Sequence, residues 1–206
     1  MTPTQLALFV MGWMLMVGSP GPASLGVMGT AMRSGRPHAM LFASGILTGS
    51  LFWSTVAILG MGAVMQTHVW MFTVMRYLGA AYLLFLAFKS LRSAMKKDVE
   101  IKADIADGSF GKVYLKGLLI HLTNPKAVLA WGSVFALTLP PAAPMSDLFR
   151  LQAILMGASM SVMVAYALLF SSAAAIRVYE RARRWFELTF AALFGAASLK
   201  ILTVSP

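Results

Sequence analysis

Three long stretches of this chain carry no charged side chain: Met1 to Met32, Ala39 to Met75 and Leu151 to Ile176. A helix needs about 20 largely apolar residues to cross the roughly 30 Å hydrocarbon core of a bilayer. Each stretch meets that length, and the second, interrupted by Gly60, Gly62, Gln66 and His68, is long enough to turn and begin another crossing. With 59% hydrophobic residues and a mean hydropathy of +0.76 over 206 residues, the chain is too apolar for a soluble domain. The fold class expected is all-α, a polytopic membrane protein.

Six transmembrane helices fit the pattern, at about 4–32, 38–63, 70–90, 115–140, 149–176 and 186–204. Arg76 intrudes on the third, and Glu187 and Lys200 flank the sixth. The start of the chain lacks the basic n-region of a cleavable signal peptide, so the first span is read as retained.

A net charge of +10 would suit a nucleic-acid binder, but the placement of the charges argues for membrane orientation instead. Arg33 and Arg36 follow span one. Lys89, Arg92, Lys96, Lys97, Lys102, Lys112 and Lys116 surround the connection from span three to span four, and Arg177, Arg181, Arg183 and Arg184 fill the link from five to six. Thirteen of the 17 Lys and Arg residues thus lie in alternate connections, and such loops stay in the cytoplasm. Both termini are then expected to face outward, with lipid as the surrounding partner. No basic-aromatic stripe or nucleic-acid motif is present.

An odd number of spans per half inverts the second half against the first. The expected division is a three-helix repeat over 1–92, a cytoplasmic linker over 93–114 and a second three-helix repeat over 115–206. Short internal matches agree with it. Ser19-Pro20-Gly21-Pro22-Ala23 aligns with Thr123-Asn124-Pro125-Lys126-Ala127, and Gly79-Ala80-Ala81-Tyr82-Leu83 with Gly195-Ala196-Ala197-Ser198-Leu199.

The two proline motifs fall inside apolar runs. Proline removes a backbone donor and clashes with the preceding turn, and broken backbone at membrane depth survives only where protein or a watery cavity satisfies it. Pro20 precedes Arg33 by 13 residues, and Lys126 follows Lys112 and Lys116 by 14 and 10, which puts both breaks roughly 15–20 Å from the basic edge at 1.5 Å per residue. Both therefore lie near the midplane. Paired interruptions at matching places in two inverted halves point to a substrate site, with Pro20, Gly21, Pro22, Asn124, Pro125 and Lys126 as its candidate residues.

Each candidate also has a plainer reading. Pro20-Gly21-Pro22 alone is equally well a packing kink. Asn124 is equally a helix cap or a ligand donor. Lys126 is the most telling, because a mid-membrane lysine costs roughly 2.5–3.5 kcal/mol on insertion scales and usually faces a cavity or a partner. Its stem, about 6 Å long, is too short to snorkel from the midplane. An ammonium there suits an anionic group such as a substrate carboxylate. His121, one turn earlier, is a candidate proton carrier or a packing histidine.

The seven acidic residues all map to loops or span ends, which disfavours a cationic cargo. With no cysteine and with His38, His68 and His121 in separate segments, no metal-ligand spacing appears and no cofactor is expected. Gly45, Gly49, Ser50 and Ser54 form a small-residue face suited to packing within one chain or in a homo-oligomer. Arg76 and Tyr77 fit an interfacial anchor or an outer gate.

Together these motifs resemble the LysE/RhtB amino-acid exporters. The resemblance covers nearly the whole chain. It rests on Pro20-Gly21-Pro22 in span one, Arg33-Ser-Gly-Arg36 leading to Gly45 and Gly49, Tyr77-Leu-Gly79-Ala-Ala-Tyr82 in span three, and Lys116-Gly117 followed by Asn124-Pro125-Lys126. It implies efflux of amino acids or related metabolites from the bacterial cytoplasm, driven by the proton gradient, and no enzyme activity. Leu-Pro-Pro at 139–141 and His121 depart from the family pattern. The alternatives are export of another small solute or a metal ion, an intramembrane enzyme, for which no nucleophile–base set is visible, and a membrane scaffold.

Overall fold

A computed structural model describes residues 2–67, 70–95, 108–138 and 143–203. Most of the linker, at 96–107, and Leu-Pro-Pro at 139–141 lie outside them, as do His68 and the side chain of Arg76. Among the described residues every regular element is an α-helix: α1 Pro3–Gly18, α2 Pro22–Thr67, α3 Trp70–Ala94, α4 Phe110–Leu122, α5 Pro125–Thr138, α6 Met145–Leu169 and α7 Ala173–Thr203. Helix therefore occupies the ends of the expected 93–114 linker, up to Ala94 and from Phe110.

Local chemistry sets these boundaries. Thr2 caps α1 through a reciprocal pair with Gln5, and Pro3 sits where its missing N–H costs nothing. Pro20 and Pro22 separate α1 from α2. Inside α2, Gly35 adopts φ 77°, a left-handed conformation that favours glycine, and the chain reverses there. The reversal is evident because a Cβ placed on Gly26 would meet the ring of Phe42, sixteen residues on. Residues 22–34 thus complete span one, and 36–67 form span two. At the second motif Pro125 starts α5, with Asn124 as its cap.

Three described stretches contain a window long and apolar enough to cross a bilayer: Pro22–Gly60, which turns at Gly35, Met145–Leu169 and Arg181–Thr203. Helices α1, α4 and α5 are too short alone because the first and fourth spans are broken in the middle. The expectation of an all-α polytopic membrane protein with helices 1 and 4 interrupted holds.

Side-chain pairings fix the relative directions. Trp13 bonds Ser159 and Gly18 meets Val162 and Tyr166, so span one runs parallel to α6. Phe42 lies beside Gly117 and Gly49 beside His121, so span two runs parallel to α4. Ser198 bonds Ala80, and Glu187 bonds Ser93, so α3 and α7 are antiparallel. Spans one and four, two and five, and three and six consequently point in opposite directions. Each half-helix leans on the second span of the other half, which interleaves the two sets.

The core follows from this interleaving. One cluster joins Val27, Met28 and Ala31 of span one to Ala39, Phe42 and Ile46 of span two and to Met163 and Ala167 of α6. A second gathers Trp13, Ile58, Trp131, Phe135, Leu148 and Leu155, and a third pairs Leu86 and Ala87 with Phe190 and Phe194. Many large apolar side chains, including Phe52, Phe85, Phe88 and Leu193, face outward, as a lipid solvent permits.

The small-residue face is used inside the protomer. A Cβ on Gly45 would overlap the carbonyl oxygen of Tyr114, and one on Gly117 would overlap that of Phe42. Spans two and four therefore touch backbone to backbone, an approach that only glycine allows.

Candidate functional site

The two breaks meet. Lys126, in the first turn of α5, extends its ammonium to the end of α1, where Nζ donates to Ser19 O at 3.1 Å and to Ser19 Oγ at 2.5 Å. The C-terminal end of α1 carries the negative pole of its dipole, so the cation sits where a helix end attracts it. Two of its three donors are used on Ser19.

The other groups freed by the prolines are also occupied. Tyr166 Oη donates to Gly18 O at 2.5 Å. Ser24 Oγ donates to Ser19 O at 2.9 Å and accepts from Gly21 N at 3.0 Å, tying the broken ends together. At the second break Asn124 Oδ1 accepts from Lys126 N at 3.0 Å, which makes Asn124 a cap, and Trp53 Nε1 donates to Leu122 O at 3.2 Å. Gly18 O and Ser19 O, at the end of α1, are thus taken up by Tyr166, Ser24 and Lys126.

Two cavities adjoin this junction. The smaller, about 50 Å³, is bordered by Gly21, His121, Asn124 and Lys126 together with Trp13 and Trp131. That volume suits a water or two rather than an amino acid. Both ring nitrogens of His121 are buried there without a hydrogen-bond partner. The larger, about 390 Å³, is bordered by Ser19, Pro20, Gly21 and Pro22 on one side and by Lys89, Ser93 and Glu187 on the other. Its size falls within the usual range of small-molecule sites. Pro125 borders neither cavity, and its ring is exposed.

A tryptophan pair closes the smaller cavity on one side. The rings of Trp13 and Trp131 lie 4.5 Å apart, centroid to centroid. Trp13 Nε1 donates to Ser159 Oγ on α6 and Trp131 Nε1 to Ser50 Oγ on span two, each at 2.9 Å. Beyond them Phe135, Leu148 and Leu155 continue the seal. The larger cavity opens on the opposite side, towards the end where basic residues gather. Contact between His38 and Phe110 brings the Arg33–Arg36 turn to the start of α4, and Arg183 bonds Ser93 at the end of α3.

Sequence reasoning missed several of these residues. Ser19 stood inside a quoted motif without a role, and Trp13, Trp131 and Tyr166 were given none. Ser50, expected to pack only, borders the smaller cavity. Glu187, assigned to a span end, is 3% exposed and faces the larger cavity. Among the described residues no three His, Cys, Asp or Glu side chains converge as metal ligands would.

A family model for LysE type translocators matches residues 14–205. The chain belongs to the LysE type translocator family. It is a transporter, not an enzyme, and a multi-pass membrane protein. The threonine efflux protein of Escherichia coli (strain K12) is 30% identical over 186 residues, covering 89% of this chain and 90% of that one. The threonine efflux protein of Salmonella typhimurium matches to the same extent. A leucine efflux protein of Enterobacter sp. (strain 638) is 35% identical over 127 residues, 62% of this translocator and 60% of its own length. No solved structure matches the chain.

Proposed function

We propose that the chain is a secondary-active exporter of neutral amino acids or closely related metabolites across the bacterial inner membrane, coupled to the proton gradient. One observation carries this reading: an ammonium, Lys126, sits at the junction of two broken helices, with a water-sized cavity beside it and one of ligand size behind its partner Ser19. The relatives named for threonine and leucine efflux supply the substrate class. The substrate enters from the side of the basic loops, places its carboxylate on Lys126 in exchange for Ser19, and leaves after the tryptophan pair parts. His121, buried with two unpartnered ring nitrogens beside Lys126, is the candidate proton carrier.

In reconstituted liposomes, threonine or leucine should move only when the protein is present, and an imposed proton gradient should accelerate it. Neutral amino acids should compete better than lysine or arginine, because among the described residues no carboxylate borders the smaller cavity beside Lys126 to receive a cationic side chain. Lysine competing far better than aliphatic or hydroxyl amino acids would contradict the charge argument.

Orientation belongs to the same reading. Single cysteines in this natively cysteine-free chain should be labelled from the cytoplasm at Gly35, Asp104 and Arg181, and from outside near both termini. A cytoplasmic N-terminus would reverse the direction of export through the open cavity.

A further inference from the structure

The larger cavity contains a carboxylate that the transport reading has not used. Glu187 lies on α7 in line with Phe190, Phe194 and Ser198, a stripe that packs against α3. Its neighbours in the stripe are apolar or bonded to backbone, yet Glu187 itself faces the cavity at 3% exposure. Its hydrogen bond comes from a neutral hydroxyl, Ser93 Oγ, at 2.8 Å. Arg183 donates to that same hydroxyl oxygen at 3.3 Å, which holds Ser93 in place.

An ionised carboxylate offers about four acceptor sites, and burying one with a single hydroxyl donor leaves most of its solvation unreplaced. A cation arriving in the cavity would replace it. Across the same cavity lie Ser19 and Gly21, at the break where Lys126 is bonded. The cavity therefore carries Glu187 at α7 and, behind Ser19, the Lys126 ammonium at α5, with Lys89 of α3 as a second cation on the Glu187 side. Glu187 and Lys126 together have the charge layout that complements a zwitterion.

Resting on the exporter reading above, we infer that Glu187 receives the α-ammonium of the substrate in the open cavity while its carboxylate is directed to Ser19 and Lys126. Glu187 is then a specificity-determining residue. It selects amino acids over the corresponding hydroxy acids, and Ser93 and Arg183 position it. The neutral preference is retained, since the one carboxylate is used on the backbone ammonium and none remains for a side chain.

The test uses the full-length protein in liposomes, with threonine as substrate and 2,3-dihydroxybutyrate, in which a hydroxyl replaces the ammonium, as competitor. For the wild type the hydroxy acid should compete at least about tenfold more weakly than threonine, as expected for loss of one charged hydrogen bond. Glu187→Gln should raise the KM for threonine by about tenfold or more while changing maximal flux less, and should abolish most of the discrimination. Glu187→Asp should recover part of both. Equal competition by the hydroxy acid in the wild type overturns the inference without any variant. An unchanged KM in Glu187→Gln overturns it too, as does a loss of proton-gradient dependence with intact discrimination, which would make Glu187 a proton carrier instead. No threonine flux in the wild type would overturn the exporter reading, and this one with it.

Discussion

Replacing Lys126 with alanine is expected to lower export per inserted molecule by about a hundredfold, because a hydrogen bond to a charged group contributes roughly 1.5–3 kcal/mol and the substrate carboxylate would lose its cation. Lys126→Arg should retain part of the activity, since a planar guanidinium does not reproduce a compact ammonium beside Ser19. The structure sharpens the competing explanation. Nζ already bonds Ser19 O and Oγ, so a purely structural lysine would clip α5 to the end of α1 and do nothing else. That explanation predicts a lower melting temperature with normal flux per molecule. Measuring both on the same preparation decides, and a destabilised Lys126→Ala protein that transports at the wild-type rate would remove the substrate role. Ser19→Ala provides the complementary comparison: it removes one partner of the ammonium and should weaken export far less than loss of Lys126 itself.

Locking the tryptophan pair is expected to stop export altogether. Cysteines in place of Trp13 and Trp131, whose rings are 4.5 Å apart, should be joined by a short bifunctional methanethiosulfonate, and flux should fall to background. Reduction should restore it to the level of the unlinked double variant. The chain has no cysteine of its own, so the reagent has no other thiol to reach. Full flux with the link in place would show that substrate leaves by another route. Linking should leave the larger cavity accessible, so labelled threonine should still bind the linked protein at equilibrium.

How much of this was written in the residues depends on the kind of force involved. Proline acts locally, so the interruptions at Pro20-Gly21-Pro22 and at Pro125 could be read directly, and charge-free runs of span length left helix as the natural element. The face of Gly45 and Gly49 was equally legible, since small residues four apart have one main use in a lipid solvent. Whether that face served one protomer or two was not, because only the tertiary fold brings Tyr114 and Gly117 against it. The same limit hid Ser19. A serine before Pro-Gly-Pro suggests nothing until a lysine 107 positions later is folded onto it. Glu187 was misjudged for a different reason. Its position at a span end was reckoned from hydropathy along the chain, whereas its burial depends on direction around the helix. The spacing of Glu187, Phe190, Phe194 and Ser198 by three, four and four was the available signal, placing an acid on an otherwise inward stripe.

The backbone crossing of Gly45 and Gly117 has a mechanical consequence. Where two helices meet through side chains, they can slide, because rotamers readjust. Where peptide oxygens abut a bare Cα, sliding is blocked and only pivoting remains. The crossing is thus a fulcrum, and the half-helix beyond it an arm. Trp131 lies fourteen residues past Gly117, across the break at Asn124-Pro125 and at most roughly 20 Å away, so a tilt of about 10° shared by α4 and α5 would carry its ring roughly 3.5 Å. A displacement of that size separates the two tilted rings and breaks the indole bond to Ser50, while the peptide contact at the pivot barely moves.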